Sequence, residues 1–273
     1  MDERVWNGLR SLITTGLDDG SFGYRFPAEC PDGGAAFGCN WQAFGHMLQA
    51  EVRDIDWPLP EQLLPPTDVI LDLLVFCASA VGQPIKESYH PYFRHDHLSW
   101  NREAGLERFL SDVNRIFARN GVAYELTPDG ARRLLPEPLA EALRSMVFKT
   151  GDDETDRLLE TARHRIASPK EDDRRDALEK LWDAFERIKT LEPGSDKRRQ
   201  ADALLDRAAV PGTGFRKMLG DEALALTRIG NTFRIRHSEV DQERLSSLEH
   251  VDYLFLRMFA FVRMVLKATG RGG

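Results

Sequence analysis

Apolar positions recur at helical spacing along most of this chain. Val5, Trp6, Leu9, Leu12 and Ile13 mark a first helix, with Gly16 as its expected stop. Asn40 is placed to cap a short helix through about Arg53, and Pro58, Pro60, Pro65 and Pro66 then force an extended linker. Thr67-Asp68 opens a helix to Val81 that is apolar nearly all round, the mark of a segment at the centre of a core. Leu106, Phe109, Leu110, Val113, Ile116 and Phe117 form the next stripe, ended by Asn120-Gly121. The turn Thr127-Pro128-Asp129-Gly130 between Ala123–Leu126 and Ala131–Leu134 predicts a β-hairpin, because Pro presets the first turn dihedral and Gly accepts positive φ. Asp18–Cys39, rich in Gly, Pro and Asp, reads as an irregular loop.

The second half reads as helical throughout. Leu158, Leu159, Ala162 and Ile166 form one stripe; Ser168-Pro169-Lys170-Glu171 reads as a capping box; Leu178, Leu181, Trp182, Phe185 and Ile188 follow at spacings of three and four. Pro193-Gly194 breaks that run, and shorter helices are expected over Lys197–Ala209 and Phe215–Ile229. The last helix carries Leu245, Leu248, Val251, Phe255, Met258, Phe259, Val262 and Leu266, widened by Leu254, Leu256 and Phe261. A face that wide is central to a bundle or meets a second copy of the chain.

Composition sharpens the division. Of 273 residues, 42% are hydrophobic and 30% charged, which excludes wholesale disorder. Residues 1–150 hold 14 Lys/Arg against 21 Asp/Glu and 11 of the 14 prolines, whereas residues 151–273 are balanced at 23 each. The expected boundary therefore falls near Lys149-Thr150-Gly151-Asp152. A net charge of −7 argues against a histone-like coat on DNA or an anionic membrane. Three cysteines, Cys30, Cys39 and Cys77, suit a reducing compartment better than a disulfide framework. With no basic and apolar leader and no long uninterrupted apolar run, the expectation is a soluble, cytoplasmic protein.

The most unusual local sequence is Thr227–Glu239, TRIGNTFRIRHSE, which packs three Arg, one His, one Asn and one Glu into 13 residues. If it stays helical, Arg234 and His237 are neighbours at i,i+3 with Asn231 one turn earlier. A guanidinium beside an imidazole suits a phosphodiester: Arg neutralises the non-bridging oxygens and His exchanges a proton near neutral pH. An exposed charged turn with His237 capping a helix end is the plainer alternative.

The run Ala177–Thr190, ALEKLWDAFERIKT, resembles the early helix of HEPN domains found at the C-terminus of prokaryotic abortive-infection proteins. The segment ending in His237 sits where that family carries an Arg, often Arg-Asn, followed after four to six residues by His. Asn120–Leu134, helix then hairpin, is similar to N-terminal modules fused to such domains. The resemblance implies a helical bundle paired as a homodimer through its late helices, and an antiviral role. It also implies metal-independent cleavage of RNA, in which the 2′-hydroxyl attacks its own phosphate. His237 would be the acid/base, supported by Asn231 and Arg234, with Arg228 and Arg236 on the RNA. The chain departs from the motif at Gly230, where the family has its Arg. That departure keeps a non-catalytic RNA-, DNA- or protein-binding module open as the alternative.

Arg108, Arg115 and Arg119 share one face of the Leu106–Arg119 helix, with Arg132-Arg133 on the hairpin behind. Helix plus basic hairpin is the shape of a winged-helix DNA reader, although Glu103, Glu107 and Asp112 share the helix. The third feature is Tyr89–His97, YHPYFRHDH. His95 and His97 could point the same way from an extended strand, with His90 or Asp96 completing a metal site and Cys30 or Cys39 adding a thiolate. Without a Cys-x-x-Cys pair, the preferred reading is a polar, aromatic-rich loop, with no metal and no cofactor. The expected architecture is thus mainly α: a helical module with one small hairpin near 122–135, then a HEPN-like bundle. Beyond a second copy of the chain, the expected partners are RNA and a regulatory protein.

Overall fold

A computed structural model describes residues 1–61, 63–233, 235 and 243–273. Helices take up 59% of the described residues, so helix predominates, but the β content exceeds a single hairpin. Two compact units emerge, Met1–Leu134 and Leu135–Gly273. The division comes earlier than the composition break near residue 150, because Leu143, Met146 and Phe148 are buried in the core of the second unit. No helix among the described residues is long and apolar enough to cross a membrane.

In the first unit, α1 (Glu3–Asp18) is capped by Asp2, whose carboxylate accepts from the Val5 N–H, and it buries Val5, Trp6, Leu9, Ile13 and Leu17. It passes Gly16 and ends two residues later. The stretch expected to be an irregular loop instead holds a 3-10 turn (Ser21–Tyr24), β1 (Pro27–Glu29) and β2 (Ala36–Cys39). Next come α2 (Trp41–Glu51), capped by Asn40 as expected, and α3 (Thr67–Ala80), which is buried nearly all round. β3 (Gln83–His90) and β4 (His95–Asn101) follow, so the supposed polar loop at 89–97 is the tip of a β-hairpin. The four strands form an antiparallel sheet in the order β1-β2-β4-β3.

α4 (Arg102–Arg119) starts against this sheet. A Cβ on Gly105 would run into the Gly82 and Gln83 backbone, and the Arg102 guanidinium donates to the Val81 and Ala78 carbonyls at the end of α3. The second hairpin, β5 (Tyr124–Thr127) and β6 (Gly130–Arg133), falls where its turn residues put it. Asn114 of α4 fastens it by accepting from the Leu126 N–H at 2.8 Å and donating to the Leu126 carbonyl at 2.9 Å.

The second unit contains α5 (Glu137–Ser145), α6 (Asp153–Arg165), α7 (Glu171–Ile188), α8 (Lys197–Ala208), α9 (Gly214–Thr232) and α10 (Leu248–Ala268). Pro169 is not the first residue of α7; Ser168 instead donates to Asp173 at 2.6 Å and accepts from the Lys170 N–H, so the helix starts two residues later than a capping box requires. α10 starts after Leu245, with Ser247 as its N-cap. The core gathers Trp182, Phe185, Phe255, Phe259 and Val262. A nearly buried ion pair, Arg174 to Asp252 at 2.5 Å, ties α7 to α10.

Candidate functional site

The C-terminal motif begins on the last turns of α9. Arg228 and Asn231 are exposed and lie three residues apart, so they share a helix face. α9 ends at Thr232, and Phe233 has extended backbone (ψ 146). Arg234, Arg236 and His237 lie outside the described residues. Gly230 is buried against Trp182: a Cβ there would stand 2.7 Å from the indole Cδ1 and closer still to Nε1. That indole is fully buried and donates to the Leu226 carbonyl at 3.3 Å. Position 230 is thus closed to a larger side chain by a tryptophan ring, a constraint set 48 residues upstream that the local sequence does not disclose.

Beside this helix end, Ile229, Phe233, Leu245, Tyr253 and Leu254 line a cavity of about 370 Å³ whose polar members are Glu243, Arg244, Ser246, His250 and Arg257. Ser246 and the His250 Nδ1 lie 3.3 Å apart. Arg257 holds Glu222 in a two-pronged pair at 2.8 and 2.9 Å; the pairing lowers the Glu222 carboxyl and raises the guanidinium. Arg244, His250 and Arg257 are cavity residues that the sequence reading missed, because His250 and Arg257 sit on α10 and meet α9 only in the folded unit.

On the first unit, the Arg108, Arg115 and Arg119 stripe is exposed on α4. Asp112 lies 2.7 Å from Arg115 and 3.9 Å from Arg108, and Arg132 pairs with Glu125 on the hairpin. The carboxylates sharing the helix and hairpin therefore offset much of the basic face that a winged-helix reading needs.

The histidines of the β3–β4 hairpin converge with a distant cysteine. Strand alternation places His95 and His97 on one face of β4, opposite His90 and Ser88 of β3. The ring centroids of His90, His95 and His97 lie 5.3 to 5.6 Å apart. The turn after β1 brings Cys30 and Asp32 to the same place; Gly33 and Gly34 take positive φ there, and the Cys30 N–H donates to the Ala35 carbonyl at 2.8 Å. Donor atoms of Cys30, His95 and His97 lie within 4.8 Å of one another, as do those of Cys30, Asp32 and His90. The His90 Nε2 meets the Asp32 Oδ2 at 2.5 Å, and the Ser88 Oγ meets the His97 Nδ1 at 3.1 Å. Bonds from the Cys30 thiol and His90 hold the Asp32 carboxyl below its usual range, while burial and Asp32 hold the thiol above its own. Asp96 points elsewhere, to Lys86 at 2.6 Å; Cys39 is not among the grouped donors, and burial pushes its thiol up to about 12. Compared with family models, with curated proteins and with solved structures, the chain matches none of them.

Proposed function

We propose that the second unit is a HEPN-type module acting on RNA within a prokaryotic abortive-infection protein, paired as a homodimer through its late helices. The reading is supported by one observation above all: Arg228 and Asn231 end α9 beside a cavity that pairs an apolar floor with Arg244, Ser246, His250 and Arg257. Guanidinium and imidazole groups around an apolar floor suit a ribose-phosphate chain. In the catalytic form of the reading, His237 exchanges the proton and Arg228 or Arg234 offsets charge on the phosphorane. Exposed Leu224, Tyr253 and Leu256 fit the pairing of two chains.

A second reading, a non-catalytic binding module, is favoured by the Gly230–Trp182 packing, which leaves no room for an Arg side chain at the family's position. Incubating the protein and its His237→Ala variant with cellular RNA in EDTA separates the two. The catalytic reading expects cutting by the parent and at least a hundredfold slower cutting by the variant; equal cutting by both removes it. No cutting, with RNA retained on the parent and lost on Arg228→Glu with Arg244→Glu, supports the binding module. Neither cutting nor retention refutes both.

A further inference from the structure

The hairpin tip carries a chemistry that the RNA reading does not use. The Nε2 atoms of His95 and His97 are closed to solvent and have no hydrogen-bond partner among the described residues. A buried polar nitrogen left without a partner is costly, and two such imidazoles beside one buried thiol point to a cation as their shared partner. Phe37 stacks on His95 at 4.4 Å and Phe93 flanks it at 6.0 Å, which fixes the ring. Ser88 at the His97 Nδ1 leaves Nε2 as the free ligand atom, the usual outer-shell arrangement of a metal-bound histidine.

We propose that Cys30, His95 and His97 bind a zinc ion, with the fourth ligand drawn from the adjoining Asp32–His90 pair. One sulfur with imidazole nitrogens is a borderline-soft set that suits zinc and excludes calcium or magnesium. With bonds of about 2.0–2.3 Å, tetrahedral ligands stand about 3.3–3.8 Å apart. The donor atoms of Cys30, His95 and His97 already lie within 4.8 Å of one another, at most about 1.5 Å beyond that spacing. On binding, the Cys30 sulfur gives its proton to solvent and donates a lone pair to the ion, and both histidines bind neutral. A nucleophilic role for Cys30 is disfavoured by its burial, at 3% exposure, and by its bond to a carboxylate rather than to an imidazole.

The ion's work follows from the sheet. Between β2 and β4 the register holds only the pair Ala36↔Leu98, so the β1–β2 hairpin is joined to the β3–β4 hairpin by a narrow seam. A metal bonded to residue 30 on one side and to residues 95 and 97 on the other staples the two hairpins together.

The test uses the full chain without an affinity tag, stripped by chelator and reloaded. Elemental analysis is expected to find one zinc per chain, and cobalt(II) in its place to give a near-ultraviolet thiolate-to-metal absorption band. Cys30→Ser should abolish that band, and Cys30→Ser and His97→Ala should each weaken zinc binding at least a hundredfold. Of Asp32→Ala and His90→Ala, the one that removes the fourth ligand should weaken it tenfold or more; no change in both refutes that part of the assignment. If a variant fails to fold by circular dichroism, the parent still decides. Cobalt bound without a thiolate band, or less than about a tenth of an equivalent of zinc retained, overturns the site.

Discussion

Replacing Gly230 by alanine separates packing from motif. Alanine in place of glycine inside a helix is ordinarily worth about 1 kcal/mol of added stability. Here the new methyl would stand 2.7 Å from the Trp182 Cδ1, with the indole nitrogen nearer still, in a core where Trp182 is 0% exposed. Displacing a packed ring costs about 1–3 kcal/mol. Moving the indole also breaks its bond to the Leu226 carbonyl, leaving a buried N–H without a partner at about 1–3 kcal/mol more. Against the helix gain, the net expectation is a loss of about 1–5 kcal/mol, and a larger loss for Gly230→Arg. Urea denaturation followed by circular dichroism measures it. Trp182→Phe, which removes the nitrogen and the five-membered ring, should lose stability alone yet recover part of the Gly230→Ala cost in the double variant, with a coupling above about 0.5 kcal/mol. A Gly230→Ala protein as stable as the parent, or more so, would refute the reasoning, because position 230 would then be open to a larger side chain.

Asp152 caps α6 and binds Arg187 at 2.8 Å, so Asp152→Ala should cost about 1–2 kcal/mol at neutral pH. The Thr155 hydroxyl and the Arg187 guanidinium depress the Asp152 carboxyl. Its contribution is therefore present above the unfolded value of about 3.9 and lost as pH falls through the lower folded value, so parent and variant should converge in urea titrations carried toward pH 2. Asn114→Ala leaves the Leu126 N–H and carbonyl without their side-chain partner and should cost about 2–4 kcal/mol by thermal or urea unfolding; a loss below 0.5 kcal/mol would show the second hairpin to be held by its apolar contacts alone. Light scattering should give twice the 31.0 kDa chain mass for the parent and the single mass for Leu256→Glu; a monomeric parent removes the proposed pairing.

Caps and stripes were legible because their physics is local. Asn40 and the Asn120-Gly121 end of α4 act within a turn or so of themselves, and the apolar run of α3 states its own burial. The sheet was not legible, since β1 and β2 are three and four residues long, too short for alternation to show, and β3 is an exposed edge strand whose sequence QPIKESYH has no clean alternation. Proline density misplaced the boundary for a related reason: Pro136 and Pro138 start α5 and so belong to the second unit. The same locality limits the sites. The two-residue spacing of His95 and His97 already implied one strand face, yet the thiolate that turns two histidines into a ligand set lies 65 residues before His95. Only the strand order β1-β2-β4-β3 brings it there. A Cys-x-x-Cys pair announces itself because both ligands share one turn of chain. A set split across two hairpins leaves no such mark, and its absence from the sequence says nothing about whether the fold assembles it.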